Sequence, residues 1–489
     1  RLKTFRVTDV IEFFFAVGKN EAGWRVADFL FEDSGHFVVD MLEPEESELL
    51  VAESFLLRVL RDLVDVDILA RNAGAEGESS PDDFDKRLET LWDLCVDPAT
   101  AIFLAKRQAV PVLAEAASRA LLRPADDVPA ARRAEVCLGT LGNICVHRIV
   151  VEGFDCEDIT TMEAVALRGL HASDGALVLQ ALRLARALLS GPAMPRLESL
   201  SGEVALGRFL YVLENSMLWD AVQHACDAIC QIIAVPDVGR TCSTAAVAVA
   251  QRLAKEGLLA LLAERLSELA AVVGADESVE APGDGDGEGD AEAALLSALC
   301  LADTFLTVSP STGALTQSAA GRLAASALKA LAAAGRGEVV AAALELLASL
   351  LDVEANCLRG VAITEGVSEE MAPEVSAGSG GVGEQLRAFA TGDEQRDAME
   401  KVALHSETEF GTDATEEDNG AMLAALALLQ HAPRSGLEDH RWTLAGMARR
   451  LRLEGLLPTA ALSDSFLAFL GDNGIENLRS NSRSRSPLR

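Results

Sequence analysis

The chain has 489 residues and a mass of 51.6 kDa, with 42 Lys and Arg against 76 Asp and Glu, a formal net charge of −34. A hydrophobic share of 49% excludes a wholly disordered protein, and 4% aromatics with a single Tyr argues against an all-β one. The acidic balance argues against nucleic acid as a partner of the folded body, because that role needs clustered Lys and Arg.

Richness in Ala, Leu and Glu predicts an all-α protein. The first segment, 1–44, carries much of the aromatic load and is left unassigned as an N-terminal extension. Pro44-Glu45-Glu46-Ser47 reads as a helix start, with proline early and acids in the first turn. Phe55, Val59, Leu63 and Val66 then recur at helical spacing to about residue 70. A Gly, Ser and acid-rich loop, 72–83, precedes a second helix carrying Leu88, Leu91, Trp92 and Cys95 on one face, with Trp92 expected as a buried anchor. Pro98, Pro111, Pro124 and Pro129 mark helix boundaries, since proline is tolerated in a first turn but not inside.

From 130 to about 270 the pattern predicts helices at 130–147, 158–170, 176–190, 203–214, 218–234, 242–256 and 258–272. Leu138, Leu141 and Cys145 share one helix face. Adding 44 gives Leu182, Ala185 and Leu189, and adding 44 again gives Cys226, Ile229 and Ile233. A period in the forties is the spacing of HEAT and armadillo repeats. The fold expected is therefore an armadillo/HEAT-like α-solenoid with disordered acidic insertions, in which Leu141, Ala185 and Ile229 are equivalent buried positions on parallel inner helices. An ordinary bundle of evenly spaced helices is the alternative.

The repeat region is assigned to 45–272. An acidic linker follows at 273–292; its 276–292 stretch has eight acids and no Lys or Arg, too little apolar surface to pack. Helical patterning resumes over 293–358, with helices at 293–308, 315–334 and 338–358. A Gly, Ser and acid-rich flexible insertion is assigned to 359–420, with a short helix, 384–403, inside it. C-terminal helices occupy 421–471, at 421–431, 438–453 and 458–470. An Arg/Ser-rich tail, 472–489, ends the chain.

Motifs that carry chemistry are incomplete. Gly378-x-Gly380-x-x-Gly383 matches a dinucleotide fingerprint in form, but Met371–Ser376 is a poor strand and no βαβ unit surrounds it. Asp284-Gly285-Asp286-Gly287-Glu288-Gly289 resembles the start of an EF-hand loop, yet position 12 is Leu295 in place of the bidentate Glu. Cys226 and Cys230 sit one turn apart and Cys145 lies near His147, but no second Cys pair completes a zinc site. The nine Cys have irregular spacing and read as reduced thiols packed as small hydrophobes. No secretion signal pattern is seen, and no apolar run reaches the roughly 18 residues of a membrane span. Neither an enzyme nor a cofactor is expected, and the localisation expected is nucleus and/or cytoplasm.

Leu91-Trp92-Asp93-Leu94-Cys95-Val96-Asp97 with Ala101-Ile102-Phe103-Leu104, and Glu135-Val136-Cys137-x-Gly139-x-Leu141-Gly142-Asn143 downstream, resemble signatures of the serum amyloid A-like family. Glu53-Ser54-Phe55-Leu56, Ser173-Asp174 and Leu177-x-Leu179-x-x-Leu182-x-Leu184 extend the resemblance, which covers roughly 50–260. It implies an armadillo-like, all-helical protein without established catalysis, associated in animals with the nucleus and with cell proliferation. Leu141-Gly142-Asn143 also resembles the start of an armadillo third helix. In nuclear-import receptors such an Asn pairs with a Trp one turn earlier to grip a basic peptide, whereas here that position is Gly139. Asn143 is the candidate partner contact. The function expected is a protein–protein interaction scaffold whose concave face takes basic segments. The alternative is an RNA-associated factor acting through Ser480–Pro487, where Arg and Ser alternate before a Ser-Pro step.

Overall fold

The computed structural model describes residues 53–64, 81–124, 126–190, 199–234, 244–275, 291–308, 317–334, 336–364, 382–390 and 419–430, with scattered helical positions from 398 to 405 and from 444 to 451. The N-terminal extension, the acidic stretch over 276–290, the glycine fingerprint up to Gly380, the 458–470 helix and the Arg/Ser tail lie outside the described residues. Every described element is helical, so the fold is all-α and solenoid-like. The chain divides into two compact units, Arg1–Arg208 and Phe209–Arg489.

In the first unit the helices are α1 (53–64), α2 (Pro81–Leu94), α3 (Pro98–Lys106), α4 (Ala109–Leu121), α5 (Val128–Val146), the short α6 (Arg148–Val151), α7 (Cys156–Leu170) and α8 (Gly175–Leu189). Their starts follow from local chemistry. Asp97 accepts from Thr100 N–H at 2.8 Å with Pro98 next to it, and Asp127 accepts from Ala130 N–H at 3.1 Å ahead of Pro129. Asp155 and Asp174 cap α7 and α8 in the same way. The prolines thus fall in first turns, as their missing N–H requires.

Helices α2, α5 and α8 form one layer, with α4 and α7 packed against it. Side-chain register shows that the layer runs parallel. Asp85 pairs with Arg133 and, two turns on, Trp92 lies over Gly139, so α2 and α5 advance together. A Cβ on Gly169 would meet both Leu138 and Ala181, while Gly142 faces Leu184, so α5 and α8 also advance together. Leu141 and Ala185 are both fully buried in this layer, and Ile229 is fully buried in the second unit, as the 44-residue phase predicts. Burying such side chains is the main source of stability in a helix layer.

The unit division falls inside α9 (Glu203–Asn215). The second unit continues with α10 (Trp219–Ile233), α11 (Thr244–Lys255), α12 (Leu258–Val273), α13 (Ala291–Val308), α14 (Gln317–Ala333), α15 (Gly337–Thr364), α16 (Val382–Ala390) and α17 (Asn419–Leu429). Gly257, at φ +88°, makes the left-handed step between α11 and α12 that a residue with a side chain rarely adopts. Helices α10, α13, α15 and α17 form one layer, and α12, α14 and α16 the other. Cys230 and Thr304 meet at 3.3 Å across α10 and α13, and Asp303 and Ser349 at 2.5 Å across α13 and α15. In the second layer Ser326 donates to the Ala263 carbonyl at 2.7 Å and Lys329 to Ser267 at 2.9 Å, so α12 and α14 run parallel. The Cys230–Thr304 contact spans 74 residues and the Asp303–Ser349 contact 46. The connection that leaves α12 and enters α13 carries the acidic stretch, which is why the sequence period fades there.

Two expectations change. Within 359–420, expected as a flexible insertion holding one short helix, α15 runs on to Thr364 and the helix begins at Val382. Helix α16 packs on α14 with Val382 and Leu386 buried, Val402 and Ala403 are buried as well, and Lys401 donates to the Ala332 and Ala334 carbonyls at 3.3 and 2.6 Å. Few apolar residues in a Gly-rich surround suffice when each lands on an existing groove. Secondly, Ala291–Val308 is long and apolar enough to cross a membrane by length and composition. In the fold it lies between α10 and α15 with Leu295, Leu299, Phe305 and Leu306 buried against neighbours.

Candidate partner-binding faces

The parallel layer of each unit presents a face along its helices, and the two faces differ in chemistry. On α5 the residues Arg132, Glu135, Gly139, Asn143 and Val146 recur every three or four positions and so form one stripe. At one end Arg132 bridges Glu89 at 2.8 Å and Glu135 at 2.7 Å, and its guanidinium lies 5.9 Å from the Trp92 ring centroid.

Trp92 was expected as a buried anchor on the face of Leu88 and Cys95. Leu88, Leu91 and Cys95 are fully buried, but Trp92 lies on the flank of that face and is half-buried. Its ring occupies the space above Gly139, where a Cβ would come within 2.4 Å of Cε2. The ring that covers Gly139 thus comes from α2, 47 positions earlier. The sequence holds both residues but no signal that joins them.

Asn143, the candidate contact, is 7% exposed. Its Nδ2 donates to the Trp92 carbonyl at 3.1 Å, and its Oδ1 accepts from Arg183 Nη2 at 3.2 Å. One amide therefore laces α2, α5 and α8 together, and both of its ends are taken up inside the fold. Arg183 also donates to Gln180 at 3.0 Å. Beyond Asn143 the stripe ends on Val146, 69% exposed.

The second unit's face is acidic and thiol-rich. Helices α10 and α13, with α15 as far as Leu351, carry Asp220, Asp227, Glu292, Asp303, Glu338 and Glu345 and no Lys or Arg. Glu292 is tied to Arg336 at 3.0 Å. Burial pushes the Asp303 carboxyl up, opposed by the hydroxyl of Ser349. Burial likewise raises Cys230, and raises Cys300 to about 11 with help from Cys230 and Glu345. These thiols are therefore protonated at neutral pH and poor nucleophiles. Among the described residues no group of three His, Cys, Asp or Glu is placed to hold a metal.

Sequence reasoning missed the buried charges. Glu163, 5% exposed, accepts from Ser199 and Leu200 N–H at 2.7 and 2.8 Å, holding the approach to α9. Arg208 closes the end of α7 through the Leu170 carbonyl at 2.7 Å. Arg265 does the same for α9 through the Leu213 and Glu214 carbonyls and pairs with Glu268 at 2.7 Å. Nothing local distinguishes such residues from solvated charges on an amphipathic helix.

No protein-family model and no curated protein matches the chain. Among solved structures it is similar to an engineered protein known from its crystal structure, with 14% identity and a TM-score of 0.37, over 56% of this chain and 93% of that one. That likeness carries no functional argument. What the geometry itself defines is a class: an all-α, solenoid-like protein with extended helix-layer faces.

Proposed function

We propose that the protein is a non-enzymatic protein–protein interaction scaffold whose second unit takes basic segments of its partners. The observation that carries this reading is the face of α10, α13 and α15, helices with six acids and no Lys or Arg up to Leu351, where Arg336, just ahead of α15, is tied to Glu292. Stacked helices present long continuous surfaces, and charge complementarity selects the partner and speeds its arrival. The resemblance to the serum amyloid A-like family supports a nuclear, proliferation-associated setting. The test is recovery of Arg- or Lys-rich proteins from nuclear extract at low and high salt, using the full chain and a chain ending at residue 478. Capture by both, falling as salt screens the attraction and lost in Asp227→Lys with Glu345→Lys, supports the scaffold. Retention by the full chain alone, with release by ribonuclease, replaces it with the RNA-associated reading through the Arg/Ser tail.

A further inference from the structure

The acidic face of the second unit has a complement within the same chain. The tail Arg479–Arg489 holds Arg479, Arg483, Arg485 and Arg489 and no acid. All four arginines fall on odd positions, and Ser480, Ser482, Ser484 and Ser486 fall on even ones. An extended backbone turns alternate side chains to opposite sides, so this spacing puts every arginine on one edge and every serine on the other.

The face gathers carboxylates from three helices. Cys230 meets Thr304 at 3.3 Å and Ser349 donates to Asp303 at 2.5 Å, so α10, α13 and α15 touch along adjoining turns. Cys300 lies one turn before Thr304. Besides its burial and the Cys230 thiol, it feels the charges of Glu345, Asp303 and Asp227, which places these acids around one point. Glu345 is exposed, and Asp227 and Asp303 are half-buried. Asp220 and Glu338 stand two turns before Asp227 and Glu345 and extend the charge along both flanking helices.

The tail is tethered within reach. Residues 452–478 join it to Leu451, which is buried in the same unit. Fully extended, that stretch spans up to about 90 Å. The face measures about 22 Å along α15 as far as Leu351 and about 20 Å across the three helices. A tether of this kind holds its end at a local concentration on the order of millimolar, so a tail that binds with a Kd of about 0.1 mM weakens a competing segment about tenfold. We infer that the tail Arg479–Arg489 lies extended along the α10–α13–α15 face of its own chain and must be displaced before a basic partner binds there. This inference rests on the proposed function, since it names what occupies the same face when no partner does. The arginine forks meet the carboxylates, and the serines face outward.

The experiment measures, by fluorescence anisotropy at low salt, how a fluorescein-labelled oligolysine peptide binds the full chain and a chain ending at residue 478. The expected result is binding at least tenfold tighter by the shortened chain, with the difference closing as salt is added. Arg483→Glu with Arg485→Glu in the full chain should raise binding to the level of the shortened one. A labelled 479–489 peptide should bind the shortened chain and lose that binding in Asp227→Lys with Glu345→Lys. Equal oligolysine binding by the full and shortened chains, or a 479–489 peptide that ignores the two acid substitutions, overturns the inference and leaves the acidic face standing. A difference that vanishes on dilution assigns the tail to a second copy and overturns it as well. If neither chain binds oligolysine, the face itself fails, and the proposed function falls with it.

Discussion

The two parallel layers are built alike and finished differently. In the first unit, neighbouring inner helices are joined by ion pairs and an amide bridge: Arg132 to Glu89, Arg133 to Asp85, and Asn143 between Trp92 and Arg183. In the second, the corresponding joints are a thiol–hydroxyl contact, Cys230 to Thr304, and a carboxyl–hydroxyl bond, Ser349 to Asp303. The apolar sides of both layers pack by the same physics. The polar edges are free to diverge because no core depends on them, and so one architecture carries a charge-balanced layer in the first unit and an acidic one in the second.

The largest effect that would test this parallel is removal of a buried cation. Each unit closes the C-terminus of a helix with an arginine, Arg208 on α7 and Arg265 on α9, and Arg265 is the more deeply buried. Arg265→Ala should lower the urea-unfolding free energy by about 3 kcal/mol, as for two helix-end carbonyls left without their donor, and Arg208→Ala by about half as much. Equal losses would mean that burial does not set the difference.

Alkaline pH should sharpen the comparison next. Burial raises the thiols of Cys95 and Cys137 from 9.0 to about 12 in the first unit, and Cys300 from 9.0 to about 11 in the second. Raised folded values mean that the protonated thiol is favoured in the fold. The stabilisation is complete below pH 9, where both states are protonated, and is lost as pH rises from 9 towards 12. Melting temperature should therefore fall progressively above pH 9. Substituting Cys137→Ala should flatten the fall more than Cys300→Ala. At pH 8 a maleimide should label exposed Cys156 well before Cys137, Cys145 or Cys226, which are buried.

A smaller effect addresses the Trp92–Gly139 joint. Gly139→Ala gains about 1 kcal/mol in helix propensity but drives a methyl into the indole. Overpacking of this kind costs about 1–3 kcal/mol, so the net change should be a loss of about 1 kcal/mol by denaturant titration. A net gain would show that the ring moves aside freely. The smallest change should come from Glu89→Gln. Both partners of the Glu89–Arg132 pair are about two-fifths exposed, so less than about 1 kcal/mol should be lost.

Much of the fold was legible in the chain. Pro98 and Pro129 announce helix starts through chemistry confined to a few neighbouring residues. The spacing from Leu141 to Ala185 to Ile229 marks three positions that are all fully buried, because a 3.6-residue period reports which side of a helix faces inward whatever it packs against. The acidic run at 276–292 announces its own break in that spacing.

Tertiary structure decided the rest. Trp92 and Gly139 fit each other only because α2 and α5 are neighbours running in one direction. Asn143 becomes a lacing residue because Trp92 and Arg183 arrive on either side of it. Glu163 and Arg265 look like solvated charges until a loop backbone or a helix end is placed against them. The net charge of −34 was plain from composition, but its absence from α5 and α8 and its gathering on α10, α13 and α15 were not. Charge is a property of residues, whereas a charged face is a property of which helices stand side by side, and that is fixed only when the apolar stripes have found their partners.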